Sequence, residues 1–143
     1  MHGPLGNYFQ NTVKLCFDVA LHQMGPIVRE AVIVGLEEIG IRESEIGPRF
    51  EEVARVLIGT FGATARTIVY RTLALVCEDY SFPADFTFKD PLVEKFIFLQ
   101  DRVLTDRLTP RHIRRALPDD QYLLPAYVSV IDLFSADPHR VRG

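Results

Sequence analysis

Apolar and polar residues follow one another in this chain with the three- and four-residue spacing of helices that bury one side. The first such segment spans residues 8–24, and its apolar positions are Phe9, Val13, Cys16, Phe17, Ala20, Leu21 and Met24. This spacing places the apolar side chains on a single face of a helix. The pattern therefore predicts a first helix over residues 8–24 that packs against a core.

Glycine and proline mark where the following helices begin and end. Gly25-Pro26 and Gly47-Pro48 each put a proline at the first position of a predicted helix, where its missing N–H costs nothing. The second helix covers residues 26–39, the third opens at Pro48, and the fourth covers 63–80. The segment Gly59–Gly62 between the last two predicts a bend or a tight turn.

The C-terminal part continues with helical signals. Asp90-Pro91 opens a fifth helix and Thr109-Pro110 a short one that ends before Pro118. Residues 123–134 are compatible with a helix or a strand, and we assign them to a helix because no partner strand is evident. The prediction is an all-α, single-domain bundle of five to seven helices over residues 1–143. It has core helices at 8–80, a C-terminal helical extension at 90–134 and a frayed tail at 135–143.

The second helix is apolar on nearly every side, which is typical of a helix that is central in its own domain or buried by a partner chain. The connector that follows the fourth helix carries three phenylalanines, which are expected to lie over a groove between helices or across a neighbouring subunit. We therefore predict a homodimer or a larger assembly, with a further protein partner as a possibility. The predicted interface consists of Ile27, Val28, Val32, Ile33, Leu36, Phe82, Phe86 and Phe88.

Composition narrows the class of protein without naming a reaction. The chain has 143 residues, 48% of them hydrophobic, and a net charge of −3. No apolar stretch approaches the roughly 18 residues of a membrane span, and the N-terminus lacks the order of a signal peptide, so we expect a cytoplasmic protein. Cys16 and Cys77 stand among apolar neighbours, which favours two buried, reduced thiols.

The motifs of common catalytic sites are missing from the sequence. No Glu is followed three residues later by His, as a di-iron bundle site would need. Neither a Gly-x-Ser-x-Gly elbow nor a Gly-x-x-x-x-Gly-Lys phosphate loop occurs. Cys77 and Asp79, together with the distant His112, are read as a coincidence of composition. We predict no catalytic residues, no metal site and no cofactor, and hence a protein that is not an enzyme.

One block of the chain resembles a known family. It contains Gly25-Pro26-Ile27-Val28, Leu36-Glu37 before Gly40-Ile41, Phe50-Glu51-Glu52-Val53, Thr60-Phe61-Gly62-Ala63 and the apolar run from Ile68 to Leu75. Residues 21–80 are in this respect similar to the archaeal helical module named the Nitrosopumilus output domain. The resemblance implies a small all-α module, usually attached to sensory or regulatory proteins, without established catalytic residues. The chain departs from that pattern by adding about sixty residues after the module.

These observations favour a non-catalytic interaction or assembly module with a regulatory role. A first alternative is a nucleic-acid-binding regulator that contacts phosphates through Arg107, Arg111, Arg114 and Arg115, although nearby aspartates neutralise much of this charge. A second alternative is a binder of a small ligand or cofactor, with an apolar pocket lined by Phe61, Tyr70 and Phe96.

Overall fold

The computed structural model describes residues 4–114, and the regular structure in this range is entirely helical. The all-α class is thereby confirmed for these residues. A single 3-10 turn, Glu43–Glu45, lies between the second and third helices. The segment 123–134 and the tail 135–143 lie outside the described residues. Residues 4–114 form six α-helices: α1 (Pro4–Met24), α2 (Pro26–Glu38), α3 (Phe50–Phe61), α4 (Ala63–Asp79), α5 (Leu92–Thr105) and α6 (Arg111–Arg114).

Two glycines with positive φ are the single residues between consecutive helices. Gly25 (φ 96°) separates α1 from α2, and Gly62 (φ 63°) alone separates α3 from α4. Side chains with a Cβ rarely adopt such positive φ values, so these positions suit glycine. The predicted interruption at Gly59–Gly62 is therefore located at Gly62, while α3 continues through Gly59.

Helices α1 and α4 form the most extensive helix pair of the described residues. They are antiparallel, because Phe9 near the start of α1 meets Tyr80 just after the end of α4, with ring centroids 6.0 Å apart. At the opposite end Arg71 donates a hydrogen bond of 3.5 Å to Gln23. The apolar stripe predicted for α1 is turned inward, and its members from Phe9 to Leu21 are almost completely buried.

A continuous series of aromatic rings runs through the core. Phe17 packs edge-on against Phe50 at 5.6 Å, and Phe50 packs against Phe96 at 5.2 Å. Phe96 in turn meets Phe9 at 5.7 Å, and Phe9 meets Tyr80. These pairs join α1, α3, α5 and the end of α4, so the core extends past residue 80 into α5.

The connector between α4 and α5 lies over these two helices. Phe86 packs edge-on against Tyr70 at 5.4 Å, and Phe82 stacks on Tyr80 at 6.3 Å. Arg66 of α4 donates hydrogen bonds to the carbonyl oxygens of Phe88 (2.5 Å) and Asp90 (2.7 Å). Phe82 and Phe86 therefore pack within the subunit, which is one of the two arrangements that the sequence left open.

Two glycines offer a matched test of this packing. A Cβ at the buried Gly47 would lie 2.5 Å from the backbone oxygen of Gln10, whereas a Cβ at Gly59 meets nothing within 4 Å. We expect Gly47→Ala to lower the free energy of unfolding by about 1–3 kcal/mol, because the backbone of α1 must move. Gly59→Ala should raise it by about 0.5–1 kcal/mol, because alanine is favoured inside a helix. Urea unfolding of both variants checks the pair, and equal effects would contradict this packing of α1.

Candidate functional site

An apolar groove lies between α2 and α3, and we call it the α2–α3 groove. It has a volume of about 550 Å³ and is open to solvent on one side. Ile27 at its edge is 84% exposed, and Val34 and Ile39 are 42% and 50% exposed. Large apolar side chains exposed beside a groove make this surface a candidate interaction site.

The groove exists because α2 is apolar on two opposite sides. Val32 and Leu36 point into the core and are each 1% exposed. Ile27, Ala31 and Val34 follow one another at steps of four and three residues and line the groove on the other side. These steps keep side chains on one face of a helix. A second apolar face is therefore left outside the core.

The floor of the groove is formed where α2 approaches the end of α3. At Gly35 an added Cβ would lie 3.6 Å from the ring of Phe61, so the absence of a side chain keeps the groove open above that ring. Glu30, Glu38 and Thr60 contribute the polar part of the lining. Among the described residues that line the groove none is cationic. Its chemistry is thus an apolar floor with an acidic edge.

Some of the predicted interface residues keep exposed surface, and the others are buried by their own subunit. Ile27 is exposed on the groove, Val28, Ile33 and Phe82 are half-buried, and Phe88 is 36% exposed beneath the guanidinium of Arg66. Val32 and Leu36 were wrongly placed at an interface between subunits, because the core of the subunit itself covers them. The same correction applies to Phe86, which is 8% exposed because Tyr70 packs on it.

The residues predicted for a ligand pocket do not share a cavity. Phe61 lines the α2–α3 groove, and Tyr70 packs against the connector. Phe96 is 2% exposed and lies between the rings of Phe9 and Phe50. The predicted three-residue pocket is therefore not formed, since Phe96 fills space in the core rather than lining an opening.

The arginines proposed for nucleic-acid binding are only partly described. Arg107 is exposed directly after α5, and Arg111 donates a hydrogen bond of 3.3 Å to the hydroxyl of Ser81. Arg114 is the last described residue of α6, and Arg115 lies outside the described residues. Arg111 thus helps to hold α6 to the connector.

The pair Asp79 and His112 has a role that the sequence analysis missed. The Nδ1 atom of His112 lies 2.6 Å from a carboxylate oxygen of Asp79 across 33 residues of sequence, and both side chains are buried. The pair fixes α6 against the end of α4. The hydroxyl of Ser81 pairs with Arg111, so these residues do not form a hydrogen-bonded Ser-His-Asp series. No signal in sequence spacing links positions so far apart.

The two cysteines are buried thiols. Burial raises the pKa of Cys77 to about 11, with a further contribution from the negative charge of Asp85. Burial also raises the pKa of Cys16, as do the nearby carboxylates of Asp79 and Glu78. Because thiolates are the reactive form, neither thiol is activated at neutral pH.

Two further findings bear on the class of protein. Within residues 4–114 no three His, Cys, Asp or Glu side chains converge as a metal site requires. None of the described helices has the length and apolar character to cross a membrane.

No protein-family model, curated protein or solved structure matches the chain.

We expect the Asp79–His112 pair to contribute measurably to stability. Asp79→Ala and His112→Ala should each lower the free energy of unfolding by about 1–3 kcal/mol, because each leaves a buried polar partner unsatisfied. The double variant should cost less than the sum of the two. Arg111→Ala, which removes only an exposed hydrogen bond, is the control and should cost below about 1 kcal/mol. Strict additivity in urea unfolding would contradict a direct coupling.

The raised pKa values of the thiols predict how stability depends on alkaline pH. The unfolded chain loses its thiol protons at a lower pH than the folded one, so ionisation favours unfolding. The contribution is fully present below the unfolded pKa, about 9, and is lost as pH rises through about 11, the folded pKa of Cys77. Unfolding curves between pH 8 and 11.5 should show this fall. In Cys77→Ala the fall should be smaller, and an unchanged fall would contradict the assignment.

Proposed function

We propose that this chain is a non-catalytic assembly module with a regulatory role, which self-associates through the α2–α3 groove. The observation that carries the proposal is Ile27, a large apolar side chain that is 84% exposed on a helix whose other side is buried in the core. Two apolar faces on one helix provide both attachment to the bundle and a surface for a partner.

The shape of the groove favours a second copy as the partner. Ile27 projects from α2, while the space above Gly35 and Phe61 can receive a side chain of that size. A projection and a recess on the same surface are what a two-fold symmetric contact needs, because each copy inserts its own projection into the other's recess. The steps from Ile27 to Ala31 and Val34 are those by which packed helices contact each other.

The position of Glu38 favours an antiparallel arrangement of the two α2 helices. With the two-fold axis near Ala31, Glu38 lies about 10 Å along the helix from the axis. In this arrangement the N-terminal end of the partner's α2 lies at a similar distance from the axis and on the same side as Glu38. Carboxylates are stabilised near the positive end of a helix. The same edge disfavours nucleic acid at this surface, since phosphates would meet Glu30 and Glu38.

The regulatory part of the proposal rests on the resemblance of residues 21–80 to a module attached to sensory and regulatory proteins. The α2–α3 groove belongs to that block, from Ile27 to Phe61. A module that pairs with its own kind can bring the proteins that carry it together. Concentration-dependent pairing is therefore the activity to measure.

Replacing Ile27 should abolish the pairing without unfolding the subunit. Burial of one isoleucine contributes about 1.5–3 kcal/mol, and a symmetric dimer loses two of them in Ile27→Gln. We expect the dimer dissociation constant to rise about 100-fold or more. Sedimentation velocity over a range of micromolar concentrations measures this constant, and circular dichroism confirms that the helices remain.

Phe98 provides the matched control. It is a large apolar side chain, 66% exposed on α5, and it does not line the groove. Phe98→Gln removes a similar apolar area and should leave the dissociation constant unchanged. A wild-type protein that remains monomeric throughout, or a dimer weakened equally by both substitutions, would show that the groove does not mediate self-association.

A further inference from the structure

A second opening lies apart from the groove, between α4, the connector and α5. It has a volume of about 150 Å³, and we call it the α4–α5 cavity. Its apolar wall comes from Leu73, Cys77, Phe86 and Leu99, which belong to all three segments. A cavity of about this volume has room for a molecule of the size of benzene, and its lining here is polar and apolar in similar measure. It shares no lining residue with the α2–α3 groove.

Charged side chains stand at the edge of this cavity. Lys95 and Arg102 of α5 both line it, and so does Asp85 of the connector. The guanidinium of Arg102 lies 4.7 Å above the ring of Phe82 and 3.6 Å from the carboxylate of Asp106. Within residues 4–114 Lys95 has no carboxylate within the 4.0 Å of an ion pair. Asp85 likewise has no cation within that distance among the described residues, so an unpaired lysine and an unpaired carboxylate both line the cavity, with Arg102 beside them.

We infer that the α4–α5 cavity binds a small monocarboxylate with a compact apolar body, such as an aromatic acid with one ring. The ring would occupy the apolar wall beside Leu73 and Phe86, and the carboxylate would meet Lys95 and Arg102. A charged hydrogen bond to a carboxylate is the strongest polar contact available there. Asp85 at the same edge disfavours a second negative charge. The site binds and does not react, because the thiol of Cys77 stays protonated at neutral pH.

This inference is independent of self-association, since the two surfaces share no residue and the ligand can be tested on dimer or monomer. The probe is 3-phenylpropionate, measured by isothermal titration calorimetry on the full chain. Two analogues separate the contributions: 3-phenylpropan-1-ol keeps the ring without the charge, and acetate keeps the charge without the ring. We expect both to bind at least about tenfold more weakly than the probe.

Lys95→Gln tests the charged contact, with Lys89→Gln as the matched control. Lys89 is exposed in the connector and does not line the cavity. Each of the two substitutions removes one positive charge, but only Lys95→Gln removes it from the cavity. The expected result is about a tenfold weaker binding of the probe to Lys95→Gln and no change for Lys89→Gln. Equal affinities of the two variants, or equal binding of the alcohol and the acid, would overturn the assignment.

Cys77 supplies a second measurement that does not depend on affinity alone. Its side chain lines the cavity, whereas Cys16 is 1% exposed in the core and does not line it. Bound 3-phenylpropionate should slow the alkylation of Cys77 by iodoacetamide at pH 9, followed by mass spectrometry of the peptides. The alkylation of Cys16 should not respond. Calorimetric binding without protection of Cys77 would place the ligand elsewhere and overturn the inference.

Discussion

The arrangement of the bundle depends on the contact of aromatic rings in its centre. Phe50 of α3 and Phe96 of α5 meet at 5.2 Å, and both also touch rings of α1. Each such pair contributes about 0.5–1.5 kcal/mol beyond the area it buries, and tilted rings pack in a limited set of orientations. The chain has ten phenylalanines, five tyrosines and no tryptophan, so phenylalanine rings supply most of its aromatic volume. They fix α1, α3 and α5 in one geometry.

Helix α2 stands outside this series of rings, and that explains where the open surface lies. Its buried residues are Val32 and Leu36, and Val28 and Ile33 pack half-buried against the core. None of its described side chains belongs to an aromatic pair. The rings position α3 so that Phe61 comes beneath Gly35. Because α3 is held by its own core contacts, it does not move over α2 to cover Ile27. The groove follows from the packing of other helices.

Periodicity predicted the helices well and the orientation of α2 poorly. In α1 the apolar residues occupy one stripe, so the side facing the core was evident from spacing. In α2 apolar residues occur all round, and spacing cannot tell Val32, which is buried, from Ile27, which is exposed. The same limit applies to Phe96, because an apolar residue of α5 can fill the core or line an opening. Asp79 and His112 meet only through the tertiary fold.

Gly35 connects the stability of α2 with the availability of the groove. Glycine in the middle of a helix costs about 0.5–1 kcal/mol relative to alanine. An alanine Cβ would fit here, since its nearest neighbour is the ring of Phe61 at an ordinary contact distance of 3.6 Å. Folding alone therefore gives no steric reason for glycine at this position. A surface that receives a partner's side chain does give one, because the missing Cβ keeps the ring of Phe61 accessible. Glycine at position 35 thus stabilises the helix less than alanine would, but it fits the proposed contact better.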